Sequence, residues 1–539
     1  MFSNVIIPIL LFGILVFIHE LGHFSVAKLS GVFVERFSIG FGPAIFRKTW
    51  GETEYALCLL PLGGYVKMRG EETIESEEAQ AKHKNDPRSF DNQNVWTRIA
   101  IASMGPIFNL ILPIILFTFL FWVGIPKMDS TVAYVDPQQS GWAAGLRPGD
   151  RILSVENKLV QSWEDLTHSI QNRGGLLTTL EILRDGSTKT LEVTPDLQPG
   201  TTAYGESMPV GKLGISPQGL VPALSVLEGD LLESKGFEQG DYITHINGQA
   251  VSHWWQIDSM LASSAEIRSL TARRGNEEIS ASFDKGQISS LRKAQLRVEE
   301  VQKDSAAEVA GLQTGDYIES LNGALLHNWT DFQKAVSESQ GQSLTLGIIR
   351  GTDYIKVEVT PKESSYVHPM TKEKLLHYQV GLQSMAIPAD ISTYTDQGKN
   401  FFDSIIKGTR ESWDVTVSTV IGMGKLFTGK VSVNSLGGPI SIFSMASSSY
   451  KNGGWVSFFR LMAILSITLG VLNLLPVPVL DGGHLVFYFI EVIKGSPLNM
   501  KARQWAQQIG VVMVLGLMAL VFYVDINRFF VDKIKNFFQ

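Results

Sequence analysis

Apolar residues concentrate at the two ends of this chain, and the long middle has the composition of an ordinary water-soluble protein. Val5 to Ile18 is uncharged and almost wholly apolar, with helical character predicted through Phe24 to Leu29, and Ile99 to Val123 runs 25 residues without a charge. At about 1.5 Å per residue, a run of that length crosses a hydrocarbon core of about 30 Å. A third run, Leu461 to Leu475, continues into Pro476, Val477, Pro478, Val479 and Leu480, and a fourth covers Ile509 to Val524. Pro476 and Pro478 break the third helix near its end. Broken backbone at membrane depth is tolerated only where it is buried in protein or lines a cavity, so a site is expected there.

The pattern therefore predicts spans at 1–30, 96–125, 455–482 and 507–527, with both termini on one side. A cleaved signal peptide fits the first run poorly, because no basic segment precedes it and a His-Glu pair follows where a small-residue cleavage site belongs. Lys28, Arg36, Arg47, Lys48, Lys67 and Arg69 lie in the first loop, which the positive-inside rule assigns to the cytoplasm, leaving the long middle outside it. Within residues 31–95, Val32 to Gly42 and Tyr55 to Met68 are rich in β-branched and aromatic residues and punctuated by Gly40, Gly42, Gly63 and Gly64. They predict a hairpin or small sheet. Within 399–430, Phe401, Phe402, Ile405, Ile406, Trp413, Val417, Val420, Ile421 and Phe427 recur at helical spacing. They predict an amphipathic helix, lying on the membrane or packed on a neighbouring domain.

The middle repeats itself. Gly149-Asp150, Gly240-Asp241 and Gly315-Asp316 each precede a tryptophan by the same distance, at Trp163, Trp254 and Trp329. Two copies have a small-residue turn before the Gly-Asp, at Ser140 to Leu146 and Ser305 to Leu312, and two carry an Asn-Gly turn, at Asn247-Gly248 and Asn322-Gly323. A helix-like stretch and two alternating strands follow in each. This pattern resembles PDZ domains of the bacterial protease type, at 131–195, 220–285 and 294–361. Such domains add an extended peptide to a sheet edge and hold its terminal carboxylate. The middle copy has Glu228 to Gly236 where the small-residue turn belongs, and is expected to be degenerate.

Composition narrows the classes further. The 539 residues correspond to roughly three to five domains. Hydrophobic content of 44% with 18% charged residues excludes a disordered chain. The mean hydropathy of +0.09 blends apolar spans with soluble modules, and neither part resembles it. The single cysteine, Cys58, rules out an intramolecular disulfide framework and a multi-cysteine zinc site. A net charge of −7 without long basic runs gives no support to nucleic-acid binding.

The chemistry sits at the end of the first span, in His19-Glu20-Leu21-Gly22-His23. Residues four apart share a helix face, so both imidazoles can reach one zinc while Glu20 reaches its water as general base. With 10 histidines in 539 residues, chance supplies about 0.01 such matches. An ionisable cluster in an apolar helix is costly and marks a function. A catalytic zinc needs a third protein ligand, and no nearby residue extends the motif. The broken third span offers Asp481, with His484 as the runner-up ligand or a residue of the helix start.

Taken together, the HExxH in a membrane helix, Gly105-Pro-Ile-Phe-Asn109 in the second span, the PDZ-like modules, Ser435-Leu-Gly-Gly-Pro-Ile-Ser441 and the Asn473-Leu-Leu-Pro-Val-Pro-Val-Leu-Asp481-Gly-Gly run resemble the site-2 protease family, peptidase M50, in its regulator-of-sigma-E protease branch. That branch usually carries two PDZ modules, and this sequence reads as three. The resemblance implies an α-helical polytopic membrane protein with four transmembrane helices, a membrane re-entrant β element and an inserted array of α+β PDZ domains. It implies a Zn2+ metalloprotease with His19, His23 and Asp481 as ligands, Glu20 as base, and Asn473 and Asn109 on the substrate strand or the oxyanion. The implied partners are membrane lipid, peptides or C-termini at the PDZ domains, and single-pass membrane substrates already trimmed by another protease, of the anti-sigma-factor type, with signal-peptide remnants as a further class. The implied location is the bacterial inner membrane, with the modules periplasmic and the active site near the cytoplasmic side. A catalytically silent PDZ-bearing scaffold predicts loss of Glu20 or of a ligand. A transporter predicts inverted repeats between the spans. Neither feature is present.

Overall fold

The computed structural model describes residues 2–71, 86–202, 206–263, 266–288, 290–367, 374–431 and 437–529. The chain separates into two compact units, one built from its two ends and one from its middle.

Among the described residues, the first unit contains four helices long and apolar enough to cross a membrane, over Val5–Leu29, Val95–Val123, Pro439–Asn473 and Lys501–Ile526. Its elements are α1 (Phe2–Leu29), β1 (Val34–Trp50), β2 (Thr53–Met68), α2 (Val95–Val123), α3 (Phe401–Phe427), α4 (Pro439–Asn473), α5 (Asp481–Lys494) and α6 (Met500–Phe529). Asn94 starts α2 by accepting a hydrogen bond from the Trp96 amide at 2.9 Å, satisfying one of the donors a helix start leaves free. β1 and β2 curl into a small mixed arrangement: residues 36–39 lie between Gly64 to Lys67 on one side and Glu54 to Leu57 on the other, and 44–50 extends the second side. The segment from Gly64 to Met68 is thereby an edge strand.

α3 turns the expected amphipathicity around. Its buried stripe is Ser404, Gly408 and Ser412, four residues apart, and it packs on α2 so closely that a Cβ on Gly408 would lie 2.5 Å from the Thr118 amide nitrogen. Phe402, Ile406, Trp413 and Phe427 point outward, each more than 60% exposed. The small residues make the protein contact and the large apolar ones are left exposed.

The third long helix also differs from the sequence pattern. It begins at Pro439, well before the expected 455, bends at Gly454 (φ 60°, ψ −151°) and ends at Asn473. Leu474 to Leu480 form a break, and Asp481 opens the separate helix α5. Asp481 thus stands at a helix start and not at the end of a span. The start of α4 has no capping side chain of its own. Asp525, on α6 and fully buried, supplies one: it accepts from the Gly438, Ile440 and Ser441 amides at 3.0, 2.9 and 3.1 Å and from the Ser441 hydroxyl at 2.5 Å. Ser435 and Leu436 of the same motif lie outside the described residues.

Among its described residues the second unit contains three four-stranded antiparallel sheets of one topology, in which the first strand of each sheet lies between the short second strand and the third. Their long strands are Arg151–Val155, Thr178–Arg184 and Ser187–Val193, then Tyr242–Ile246, Ser269–Arg274 and Glu277–Ser282, then Tyr317–Leu321, Leu344–Arg350 and Asp353–Val359. The three tryptophans have a common explanation: each is the first residue of its module's helix, Trp163–Gln171, Trp254–Ala262 and Trp329–Glu338. The first module makes its hairpin turn with Glu156 and Asn157, both at positive φ, where the other two use Asn-Gly. In the middle module, Leu231–Ser234 forms the same short helix as Ser140–Ala143 and Ala306–Val309 although its sequence lacks the small residues.

The repeated Gly-Asp also acquires a partner. Asp150, Asp241 and Asp316 are each 1% exposed and are held bidentately by Arg184, Arg274 and Arg350 at 2.6–2.8 Å. The same guanidinium donates to the carbonyl of Gly145, Gly236 or Gly311, which ties the sheet to the short helix. Removing one member of such a pair strands the other. Asp316→Ala is therefore expected to destabilise the third module by about 3 kcal/mol, read as a lower urea midpoint for the second unit. An unchanged midpoint would show that the pair is dispensable.

Candidate active site

α1 carries His19, Glu20 and His23 on adjoining turns, and α2 crosses it at a point where neither helix has a side chain. A Cβ on Gly22 would lie 2.3 Å from the Met104 carbonyl oxygen, and one on Gly105 would lie 2.2 Å from His23 Nε2 and 2.9 Å from His19 Cε1. The two glycines set how near α2 comes to the imidazoles. The break after α4 brings the third donor group, Asp481. It folds back on the first turn of α5, where a Cβ on Gly482 would meet the Leu475 carbonyl at 2.3 Å and one on Gly483 the Val477 carbonyl at 2.3 Å. The two glycines after Asp481 are thus a steric requirement of the turn that aims it. At the far end of α5, Glu491 pairs with Arg98 of α2 at 2.6 Å, both nearly buried, with Tyr488 beneath the guanidinium.

This folding brings together residues 462 positions apart in the chain. His19 Nε2 lies 3.2 Å from Asp481 Oδ2, His23 Nε2 lies 3.6 Å from Asp481 Oδ1, and the two Nε2 atoms are 3.3 Å apart. Two ligands about 2.1 Å from a tetrahedral zinc stand roughly 3.4 Å apart, so this donor set fits the ion in type and in spacing. Among the described residues, no other group of three histidine, cysteine or acidic side chains could hold a metal. His484 is not in the group: it lines the same cleft, with its ring against Phe487 and Tyr488.

The cleft is bounded by Glu20 with the histidines, by Gly64, Tyr65, Val66 and Met68 of the edge strand, and by Tyr488 on α5. Gly64 is placed where a Cβ would come 3.1 Å from Glu20 Cγ, so the strand lies directly against that carboxylate. The remaining expected residues, Asn109 and Asn473, both meet His19: their amide nitrogens are 3.1 and 3.5 Å from its Nδ1. Asn109 is fully buried, and the Ser466 hydroxyl donates to its backbone carbonyl at 2.7 Å.

The sequence reading missed Tyr488 and the Arg98–Glu491 pair. The signal available for them was the recurrence of 481, 484, 488 and 491 on one face of a short helix.

The family model for peptidase family M50 matches residues 7–517. Protease RseP of Yersinia pestis is 32% identical over 96% of this chain and 96% of its own length. Regulator of sigma-E protease RseP of Escherichia coli K12 is 30% identical over the same shares, and a Neisseria meningitidis protein named as a zinc metalloprotease is 29% identical over 96% of this chain and 97% of its own.

Proposed function

Since the chain belongs to peptidase family M50 and is a zinc metalloprotease, we propose that it cleaves transmembrane segments inside the membrane, with His19, His23 and Asp481 as the metal ligands and Glu20 as the base. The observation that carries this reading is the meeting of the three donor groups beside an open strand edge, in a unit with four helices apolar enough to span a bilayer.

Bound zinc supplies Lewis acidity that polarises the scissile carbonyl and lowers the pKa of water. Glu20 takes a proton from the attacking water and returns it to the leaving amine. A helical substrate hides its peptide bonds, so it must be unwound first. The edge from Gly64 to Met68 holds the released strand extended by backbone hydrogen bonds, and the β1–β2 element acts as the re-entrant part of the membrane domain. Asn473, partly exposed at the end of α4, is the amide assigned to the substrate strand or oxyanion.

The three modules of the second unit are read as PDZ domains that bind peptides or C-termini and exclude substrates with bulky outer domains. On this reading the substrates are single-pass proteins shortened by a prior cut, of the anti-sigma-factor type suggested by the relatives' role as regulators of sigma E, along with signal-peptide remnants. The setting is the bacterial inner membrane, with the modules on the periplasmic side and the active site toward the cytoplasm. Deleting Thr131 to Pro361 is expected to allow cleavage of substrates whose outer domains are intact. The check is reconstitution in liposomes with full-length and pre-trimmed versions of one substrate, and unchanged discrimination between them would exclude the filter.

A further inference from the structure

On the metal-site reading above, we infer that Asn109 is the positioning residue for His19 and not a substrate-binding residue. Three residues of α2 four apart serve the two histidines. The Ile101 carbonyl lies 2.8 Å from His23 Nδ1, Gly105 leaves the space into which both rings fit, and the Asn109 amide lies against His19 Nδ1.

The Nε2 atoms of both rings face Asp481, so Nε2 is the atom each ring would offer a metal, which would leave the proton on Nδ1. A protonated Nδ1 requires an acceptor. His23 has one in the Ile101 carbonyl. For His19 the acceptor is the side-chain oxygen of Asn109, which is buried without a hydrogen-bond partner when the amide nitrogen faces the ring. A half-turn of the amide places that oxygen on Nδ1–H and fixes both the tautomer and the tilt of the ring. Burial of Asn109 is complete, and its backbone is pinned to α4 through Ser466, so a strand in the cleft does not reach it. Two near-isosteric replacements separate acceptor from filler: aspartate keeps an oxygen at this position and leucine does not.

The test uses the full-length protein in detergent, stripped of metal and titrated with zinc against a chromophoric chelator. Asn109→Leu is expected to weaken zinc binding by about 10–100-fold, and Asn109→Asp to keep it within about threefold of the parent. At saturating zinc, Asn109→Leu is expected to leave the KM for a pre-trimmed substrate unchanged. Equal weakening by the two replacements would assign Asn109 a packing role and overturn the inference. So would a raised KM with zinc affinity unaltered, which would return the residue to the substrate. His19→Ala separates the two levels of the argument: if it leaves zinc affinity intact, the metal-site reading itself fails and the role of Asn109 falls with it.

Discussion

Replacing Glu20 by glutamine is expected to lower the rate of cleavage of a transmembrane substrate by about 10³-fold while zinc remains bound. Glutamine has the same shape and hydrogen-bonding reach but cannot take a proton from water, so it removes the base and spares the site. The carboxylate is not one of the three groups that converge on one another to form the donor set. Zinc content and cleavage should therefore separate cleanly in this variant. Retention of parental cleavage by Glu20→Gln would sink the mechanism, and loss of zinc along with activity would make Glu20 part of the metal site instead.

The second large effect is expected far from the chemistry. Asp525→Ala removes the acceptor of four hydrogen bonds at the start of α4, three from amides and one from a hydroxyl. Charge-assisted bonds to a helix N-terminus are among the stronger ones, and four are lost together, so a loss of about 3–5 kcal/mol is expected. Asp525→Asn keeps one carbonyl oxygen and should recover part of it. The readouts are the unfolding midpoint in mixed micelles and the protease sensitivity of α6. A midpoint unchanged in the alanine variant would mean that the apolar faces alone hold α6 in place.

These cases show which parts of the molecule can be read from a sequence. Local spacing carries the HExxH pair, because the two histidines share one turn-and-a-bit of helix, and it carries the spans and the triplicated Gly-Asp. Asp481 was reachable because two prolines announce a broken helix. What escaped has partners that leave no periodic trace. The arginines that neutralise the three buried aspartates lie 33–34 residues downstream, at the ends of strands, where an arginine ordinarily faces water. Asp525 reads as an isolated acid near the end of an apolar run until its partners, 84–87 residues earlier, are in place. The short helix at Leu231–Ser234 forms without the small residues of its counterparts and is followed by the same arginine link, Arg274 to the Gly236 carbonyl and Asp241. Asn109 was singled out by the sequence, and the structure places it against His19. Its burial and its contact with His19 were not legible, because they depend on how closely two glycines let α1 and α2 approach.

The repeated ion pairs have a consequence for how the second unit is made. Three modules with the same strand order, in one chain, can exchange equivalent strands while they fold, a hazard that rises with the similarity of neighbouring units. With the only cysteine at position 58, no crosslink can trap such an exchange in the middle of the chain. Each wrong pairing is held only by non-covalent contacts, among them an aspartate–arginine pair that re-forms equally well with its proper partner. No covalent bond in the middle of the chain therefore fixes an error of assembly, and no thiol–disulfide catalyst has a substrate there.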